Sequence, residues 1–264
     1  MTTSVNLLGG NGEGRAEPRD PELSPEGPKS TAPLPAAVAK RNAELVERYA
    51  DELYDADAQT ILEWTREHAP GCIAVTLSME NTVLAELAAR HLPEADFLFL
   101  DTGYHFDETL EVAERVDQRY PQQLVTATPI LPRAEQDSIY GRNLYRHNPT
   151  ACCRMRKVEP LAASLSPYAG WITGLRRADG PTRASAPALS LDATGRLKIS
   201  PIITWSLEDT DAFIADRDLI VHPLTTQGYP SIGCATCTLP VAEGDDPRAG
   251  RWAGNAKTEC GLHS

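Results

Sequence analysis

Positive charge is scarce in this chain. Its 25 Lys and Arg face 37 Asp and Glu, a formal net charge of −12. Non-specific nucleic-acid binding needs a basic surface that displaces counterions, so that class of function is disfavoured. A small anionic ligand stays open, provided the cations are gathered locally. Long apolar runs are missing too: no stretch approaches the roughly 18–20 apolar residues of a membrane-spanning helix. The first residues have neither the basic start nor the apolar run of a secretory signal. The expectation is therefore a cytoplasmic protein, whose thiols stay reduced and serve metals or catalysis more often than disulfides. No internal repeat is visible. What is there is a chain of 264 residues with ordinary hydrophobic content, enough for one sizeable α/β core with appendages.

Residues 1–35 hold Gly9, Gly10, Gly12 and Gly14 and then Pro18, Pro21, Pro25, Pro28, Pro33 and Pro35. With few apolar residues among them, this segment cannot offset its ordering entropy and reads as a disordered tail. Helical spacing begins near Pro35 with Val38, Leu45 and Tyr49, and a second helix follows Asp55, anchored by Ile61, Leu62 and Trp64. An alternation then sets in. Ile73–Leu77 reads as a buried strand, Val83–His91 as a helix, Phe97–Leu100 as a strand and Thr109–Tyr120 as a helix. Leu124–Thr126 and Trp171–Gly174 are further strand candidates. Apolar strands separated by helices predict a doubly wound, mostly parallel α/β sheet over 36–230, covered on both faces. The remainder, 231–264, reads as an irregular extension.

In such folds ligands bind outside the carboxyl ends of the strands. Two of those ends are chemically marked. After the first strand come Ser78, Met79, Glu80 and Asn81, where a helix N-terminus offers free N–H groups to a phosphate; a plain serine N-cap explains Ser78 equally well. After the second come Asp101-Thr102-Gly103-Tyr104-His105-Phe106-Asp107, more polar chemistry than a turn requires.

Of six cysteines, five are patterned: an adjacent pair at Cys152 and Cys153, a C-x-x-C pair at Cys234 and Cys237, and Cys260 close to the C-terminal residue Ser264. Two pairs supply the four thiolates of a tetrahedral zinc or a cubane iron–sulfur site, and soft ligands suit both. Cys260 is placed to react as a thiolate, or is a spare thiol. Cys72, at the start of the first strand, reads as a small apolar core residue. His105 and His147 are candidates for substrate contact, with turn-capping or core packing as the alternative for each.

Five motifs together resemble the assimilatory sulfonucleotide reductases: Asp-Thr-Gly-Tyr-His-Phe-Asp-Glu-Thr at 101–109, Cys-Cys-Arg-Met-Arg-Lys-Val-Glu-Pro-Leu at 152–161, Thr-Gly-Leu-Arg-Arg at 173–177, the C-x-x-C at 234–237 and Glu-Cys-Gly-Leu-His at 259–263. The resemblance runs in order from about residue 70 to the end. It implies an adenine-nucleotide-alpha-hydrolase-like (PP-loop-like) fold with a mobile C-terminal tail. Members with both cysteine pairs are the iron–sulfur type, which reduces adenosine 5′-phosphosulfate (APS) to sulfite and AMP with electrons from thioredoxin, in sulfate assimilation and cysteine biosynthesis. The resemblance then makes Cys152, Cys153, Cys234 and Cys237 the ligands of one 4Fe–4S cluster. Cys260 becomes the nucleophile that carries an S-sulfonate, with Gly261 giving it hinge freedom and His263 beside it. Ser78, Glu80, Lys157, Arg176, Arg248 and Arg251 become substrate contacts, with Arg177 a further cation near them and Arg154 and Arg156 beside the cluster.

One departure stands out. Loops of this kind carry small residues and an Asp where this chain has Met79 and Asn81, so Met79 is expected to crowd the approach to the nucleotide. Three rivals remain: the same chemistry on the 3′-phosphorylated nucleotide, an ATP-using member of the same fold, and a metal-binding redox sensor. The second lacks its glycine-rich loop here, and the third has no use for the terminal Glu-Cys-Gly-Leu-His.

Overall fold

The computed structural model describes residues 34–69, 72–242, 244–252 and 257. The tail expected over 1–35 lies outside the described residues except for its last two, as do Cys260 and His263. In chain order the elements are α1 (Ala36–Tyr49), α2 (Ala58–His68), β1 (Ile73–Leu77), α3 (Val83–His91), β2 (Asp96–Leu100), α4 (Asp107–Arg119) and β3 (Leu124–Ala127). A run of short helices follows: α5 (Arg133–Tyr140), α6 (Leu144–His147), α7 (Pro149–Cys153), a π-helical turn over Arg154–Val158, and α8 (Glu159–Ser164). The chain then forms β4 (Gly170–Ile172), β5 (Leu189–Leu191), β6 (Leu197–Ile199) and α9 (Leu207–Arg217). Among the described residues no helix is long and apolar enough to cross a membrane.

The six strands make one sheet in the order β3-β2-β1-β4-β6-β5. Every pairing is parallel except β5 with β6. Side-chain alternation assigns the two faces. Ile73, Val75, Phe97, Phe99 and Ile172 join the larger core with residues of α2, α3 and α4. Ala74, Leu98 and Trp171, one position out of phase, pack with Leu161 and Leu165 on the other face. This is the doubly wound arrangement expected. The order reverses between β1 and β4, which opens a crevice at the carboxyl ends of those strands.

Local chemistry sets the element ends. Asp57 starts α2 by accepting the Thr60 N–H at 2.8 Å, a side-chain N-cap. α4 begins two residues earlier than the apolar spacing predicts, because Asp107 and Glu108 suit the positive end of the helix dipole. Ser206 and Asp209 cap α9 reciprocally. The strand expected over Trp171–Gly174 is shifted: Thr173 and Gly174 have already left the sheet. Cys72 is a correction. It stops short of β1 and is exposed, since the burial of the strand begins only at Ile73.

A buried cation ties the opposite end of the sheet together. Arg196, 1% exposed, donates from Nε to the carbonyls of Leu165 (2.9 Å) and Tyr168 (3.0 Å) and from Nη2 to that of Ser166 (3.2 Å). It thereby fixes the turn between α8 and β4. Asn42 adds a second tie, its Nδ2 donating to Ala169 and Gly195 carbonyls at 2.9 Å each. Arg196→Met keeps the bulk and removes the charged donor from three carbonyls, of which, among the described residues, only that of Leu165 keeps another partner, the Tyr168 N–H. Hydrogen bonds to charged groups contribute about 1.5–3 kcal/mol each, so the variant is expected to lose at least about 3 kcal/mol in a urea unfolding titration. A loss under about 1 kcal/mol would show that water replaces the guanidinium at no cost.

Candidate active site

The loop after β1 forms one wall of the crevice. Ser78 is exposed and its Oγ accepts only a long, 3.4 Å bond from the Glu80 N–H. It does not cap α3, whose first residue lies five positions on; Asn81 Oδ1 takes that part by accepting the Val83 N–H at 3.2 Å. Met79 corrects the crowding expectation. Its backbone is left-handed (φ 63°), which turns the side chain into the main core, where it is 1% exposed. A non-glycine residue holds that conformation at a cost of roughly 1–2 kcal/mol, which burial of the thioether offsets. The loop is latched by residues 220–222: Thr82 N–H donates to the Ile220 carbonyl (3.0 Å) and His222 N–H to that of Glu80 (2.9 Å).

Glu80 faces across the crevice. Its Oε2 accepts the Ile232 N–H at 3.2 Å. Burial pushes its carboxyl above the usual range, while the Ile232 bond, Arg251 and Arg176 draw it down and Asp179 pushes it up again. Part of its surface is open to solvent, yet protein surrounds most of it. The wall after β4 supplies Arg176, whose Nη2 pairs with Asp179 at 2.7 Å. The neighbouring Arg177 is spent elsewhere: it pairs with Asp55 at 2.6 Å and donates to the Tyr54 and Ala186 carbonyls.

The four paired cysteines gather beyond the carboxyl ends of β1 and β2. Cys152, Cys153 and Cys234 are buried and Cys237 is partly so. Cys152 and Cys234 share an apolar cluster with Tyr104, Leu144 and Ala151, and Cys237 packs against it. Burial first, and then Cys153, Cys234 and Cys237 in turn, push the Cys152 thiol up to about 12. The thiols are thus within electrostatic reach of one another. Even so, among the described residues no three His, Cys, Asp or Glu side chains stand in a ready-made metal-holding group. A soft cation displaces thiol protons when cysteines bind it, and three thiols in one apolar cluster, with Cys153 in electrostatic reach of Cys152, are a donor set that fits an iron–sulfur cluster or zinc.

Three cations converge near these thiols. Arg251 Nη1 donates to Ser231 Oγ (3.0 Å) and the Ile232 carbonyl (3.1 Å). It draws down both Glu80 and the Cys237 thiol, so it stands between the crevice and the cysteines. A Cβ at Gly233 would collide with its guanidinium. Lys157 is buried in the π turn and also draws Cys237 down. Trp252, 3% exposed, collects the cations: Arg251, Lys257 and Lys157 lie 4.9, 5.9 and 6.0 Å from its ring centre. Arg248 is partly exposed and its N–H donates to Asp246 Oδ1 at 2.8 Å.

A further, buried cation braces the loops around the site. Arg156, 4% exposed, donates to the carbonyls of Thr102 (2.5 Å) and Leu131 (3.2 Å) and to Gln136 Oε1 (3.0 Å). A Cβ at Gly103, itself left-handed, would lie 2.9 Å from this guanidinium. Thr102 in turn meets Cys234 Sγ at 3.3 Å. Arg154 instead pairs with Glu159 at 2.8 Å.

The phosphoadenosine phosphosulfate reductase domain model matches residues 72–240. The adenosine 5′-phosphosulfate reductase of Mycolicibacterium smegmatis is 50% identical over 83% of this chain and 94% of its own length. This chain belongs to the sulfonucleotide reductase family. The adenosine 5′-phosphosulfate reductase of Streptomyces coelicolor is 48% identical over 83% of this chain and 93% of its own. A phosphoadenylyl-sulfate reductase structure from Candida auris, in a phosphate complex, superposes with a TM-score of 0.62 at 21% identity, over 74% of this chain and 97% of its own; this likeness bears on the fold.

In this sulfonucleotide reductase, then, the structure draws Glu80, Arg176 and Arg251 together and sets Lys157 among the thiols. Cys260 and His263 lie outside the described residues. Tyr104, Asp179, His222 and Trp252 were not singled out from the sequence, though Tyr104 and Trp252 sit inside or beside motifs that were. His105 proves a turn brace, its ring donating to the Leu100 carbonyl at 2.9 Å. His222 has no exposed surface. Its Nδ1 accepts the Leu224 N–H (3.2 Å), which leaves the proton on Nε2 to donate to Thr109 Oγ1 (2.9 Å).

Burial holds both histidines below the ordinary imidazole value of 6.5. The unfolded chain therefore binds more protons once the pH drops below about 6.5. Their contribution to stability is complete above that value and lost as the pH falls through the lowered ones. Urea midpoints measured from pH 7.5 to 5.5 are expected to fall, and to fall less steeply in His222→Asn. An identical slope in the variant would remove His222 from this account.

Proposed function

We propose that this chain reduces adenosine 5′-phosphosulfate to sulfite and AMP, with thioredoxin as the electron donor and Cys260 as the nucleophile. The observation that carries the reading is the place of Arg251, within electrostatic reach of Glu80 at the nucleotide-type crevice and of Cys237 among the thiols. A sulfonucleotide has two ends, and this cation stands where they would meet. The relatives named adenosine 5′-phosphosulfate reductase, aligned over most of the chain, support the choice of substrate.

The crevice takes the AMP moiety between the loops after β1 and β4, with Ser78 and Glu80 on one side and Arg176 on the other. Arg251, Lys157 and Arg248 meet the phosphosulfate, whose charge shifts toward the departing AMP as the S–O bond breaks; fixed cations lower that barrier. The Cys260 thiolate attacks the sulfur and AMP leaves, which places a sulfonate on Cys260. His263, three residues on, supplies a cation that favours the thiolate. A thioredoxin thiolate then attacks the Cys260 sulfur, and sulfite leaves with the bonding pair. The mixed disulfide is resolved by the second thioredoxin thiol, which regenerates the Cys260 thiolate and leaves thioredoxin oxidised.

Cys152, Cys153, Cys234 and Cys237 would hold one 4Fe–4S cluster, which when bound supplies a fixed charge beside Lys157 that tunes the field on the substrate. Anaerobically purified protein is expected to carry ~4 iron per chain, and Cys234→Ser to lose most of it. Full iron content in that variant would remove Cys234 from the ligand set.

Intact mass after mixing with APS in the absence of reductant tests the reaction. One sulfonate on Cys260, cleared by thioredoxin and absent in Cys260→Ser, is expected. An adduct only from the 3′-phosphorylated nucleotide would transfer the activity to that substrate, and none from either would end the reductase reading.

A further inference from the structure

Arg176 is the crevice cation whose surroundings the proposed reaction leaves unexplained. Its Nε and Nη2 both donate to Asp179 Oδ1, at 2.9 and 2.7 Å. Its backbone N–H donates to the other oxygen, Oδ2, at 3.2 Å. One carboxylate therefore fixes the main chain and the side chain of the same arginine. A second brace comes from α9, where Nη1 donates to Thr210 Oγ1 at 2.7 Å. The Thr210 hydroxyl spends its proton on the Ser206 carbonyl at 2.8 Å, so it meets the guanidinium with lone pairs. These contacts engage three of the five guanidinium N–H groups.

Asp179 is shared. Arg183 Nη1 reaches its Oδ2 at 3.2 Å, and the three side chains are only 16%, 16% and 11% exposed. Two guanidiniums thus share one carboxylate, on the wall opposite Glu80. Charge-assisted bonds shielded from water hold geometry better than surface pairs do.

We propose that Asp179 is the positioning residue for the crevice, holding Arg176 as a fixed cation aimed at the nucleotide. The proposal rests on the reading that the crevice takes the AMP moiety of APS. An arginine that is immobile before binding gives up no rotamer freedom when the anion arrives, so the carboxylate strengthens binding although it carries the sign of the ligand. Arg176 would touch the substrate; Asp179 acts through it.

AMP binding to the full chain by titration calorimetry, alongside steady-state turnover of APS with thioredoxin, is the test. Asp179→Asn is expected to weaken AMP about tenfold and to raise KM far more than it lowers kcat. Asp179→Glu should recover most of the loss. The double variant Asp179→Asn with Arg176→Ala should bind no more weakly than Arg176→Ala alone, because the two act as one unit. Thr210→Val, which removes the second brace and leaves the carboxylate, should weaken AMP in the same direction and serves if Asp179→Asn does not fold. Wild-type affinity in Asp179→Asn, or losses that add in the double variant, would overturn the proposal while leaving the reductase reading in place. If the unaltered protein neither binds AMP nor turns over APS, both fall together.

Discussion

A guanidinium taken out of water must find protein oxygens, and the need of Arg156 organises the functional end of this molecule. Its donors reach the loop after β2 through Thr102, the loop after β3 through Leu131, and α5 through Gln136. Its own backbone lies in the turn that follows Cys152 and Cys153. Three separate connections are thereby held against the element that carries one cysteine pair. The second pair is brought in through the same loop, by the Thr102–Cys234 contact and the Ala235 N–H bond to the Tyr104 carbonyl (2.7 Å). Losing one partner of such a buried charge costs more than the contact returns in water, so these loops stand or fall together.

Two regions of different character meet above that base. The crevice between β1 and β4 follows from topology alone, since a sheet wound in both directions opens where the winding reverses. The thiol region follows from no such rule; it is assembled from α7 and a late segment of irregular chain. What joins them is a small set of cations, chiefly Arg251 with Lys157 nearby and Trp252 packed against both. A protein with net charge −12 can attract an anion here because its positive charge is concentrated.

The longer regular elements were legible in the sequence because their patterns were long enough to read. β1 and α3 have the bounds their apolar runs indicated, and the winding of the sheet followed from their alternation. β5 and β6 went unassigned, since strands of three residues carry no usable period. The helices from α5 to α8 were equally silent: each is short, and several are held by tertiary contacts such as Arg156 with Gln136. At the site, residue types marked the cysteines and the cations but not their allegiance. Arg176 and Arg177 are adjacent and alike, yet one faces Asp179 in the crevice and the other Asp55 in the connection between α1 and α2. Nothing local separates them. Met79 failed in a similar way, because its bulk was legible and the left-handed backbone that turns it inward was not.

The π turn over Arg154–Val158 sits between α7 and α8 without breaking the helical run. One residue amounts to about 100° of rotation around a helix, and a π turn accommodates an additional residue per turn. In register with it, Cys152 and Cys153 are buried at the thiol region, Arg156 and Lys157 are buried in turn, and Leu161 still reaches the opposite face of the sheet. Removing that additional residue would let the turn relax to an ordinary α-helix with both flanks still in register, whereas a residue lost from α7 or α8 would swing everything on one side by that angle relative to the other. The bulge therefore lets one helical run carry an extra residue beside the cysteine pair without turning Leu161 away from the sheet.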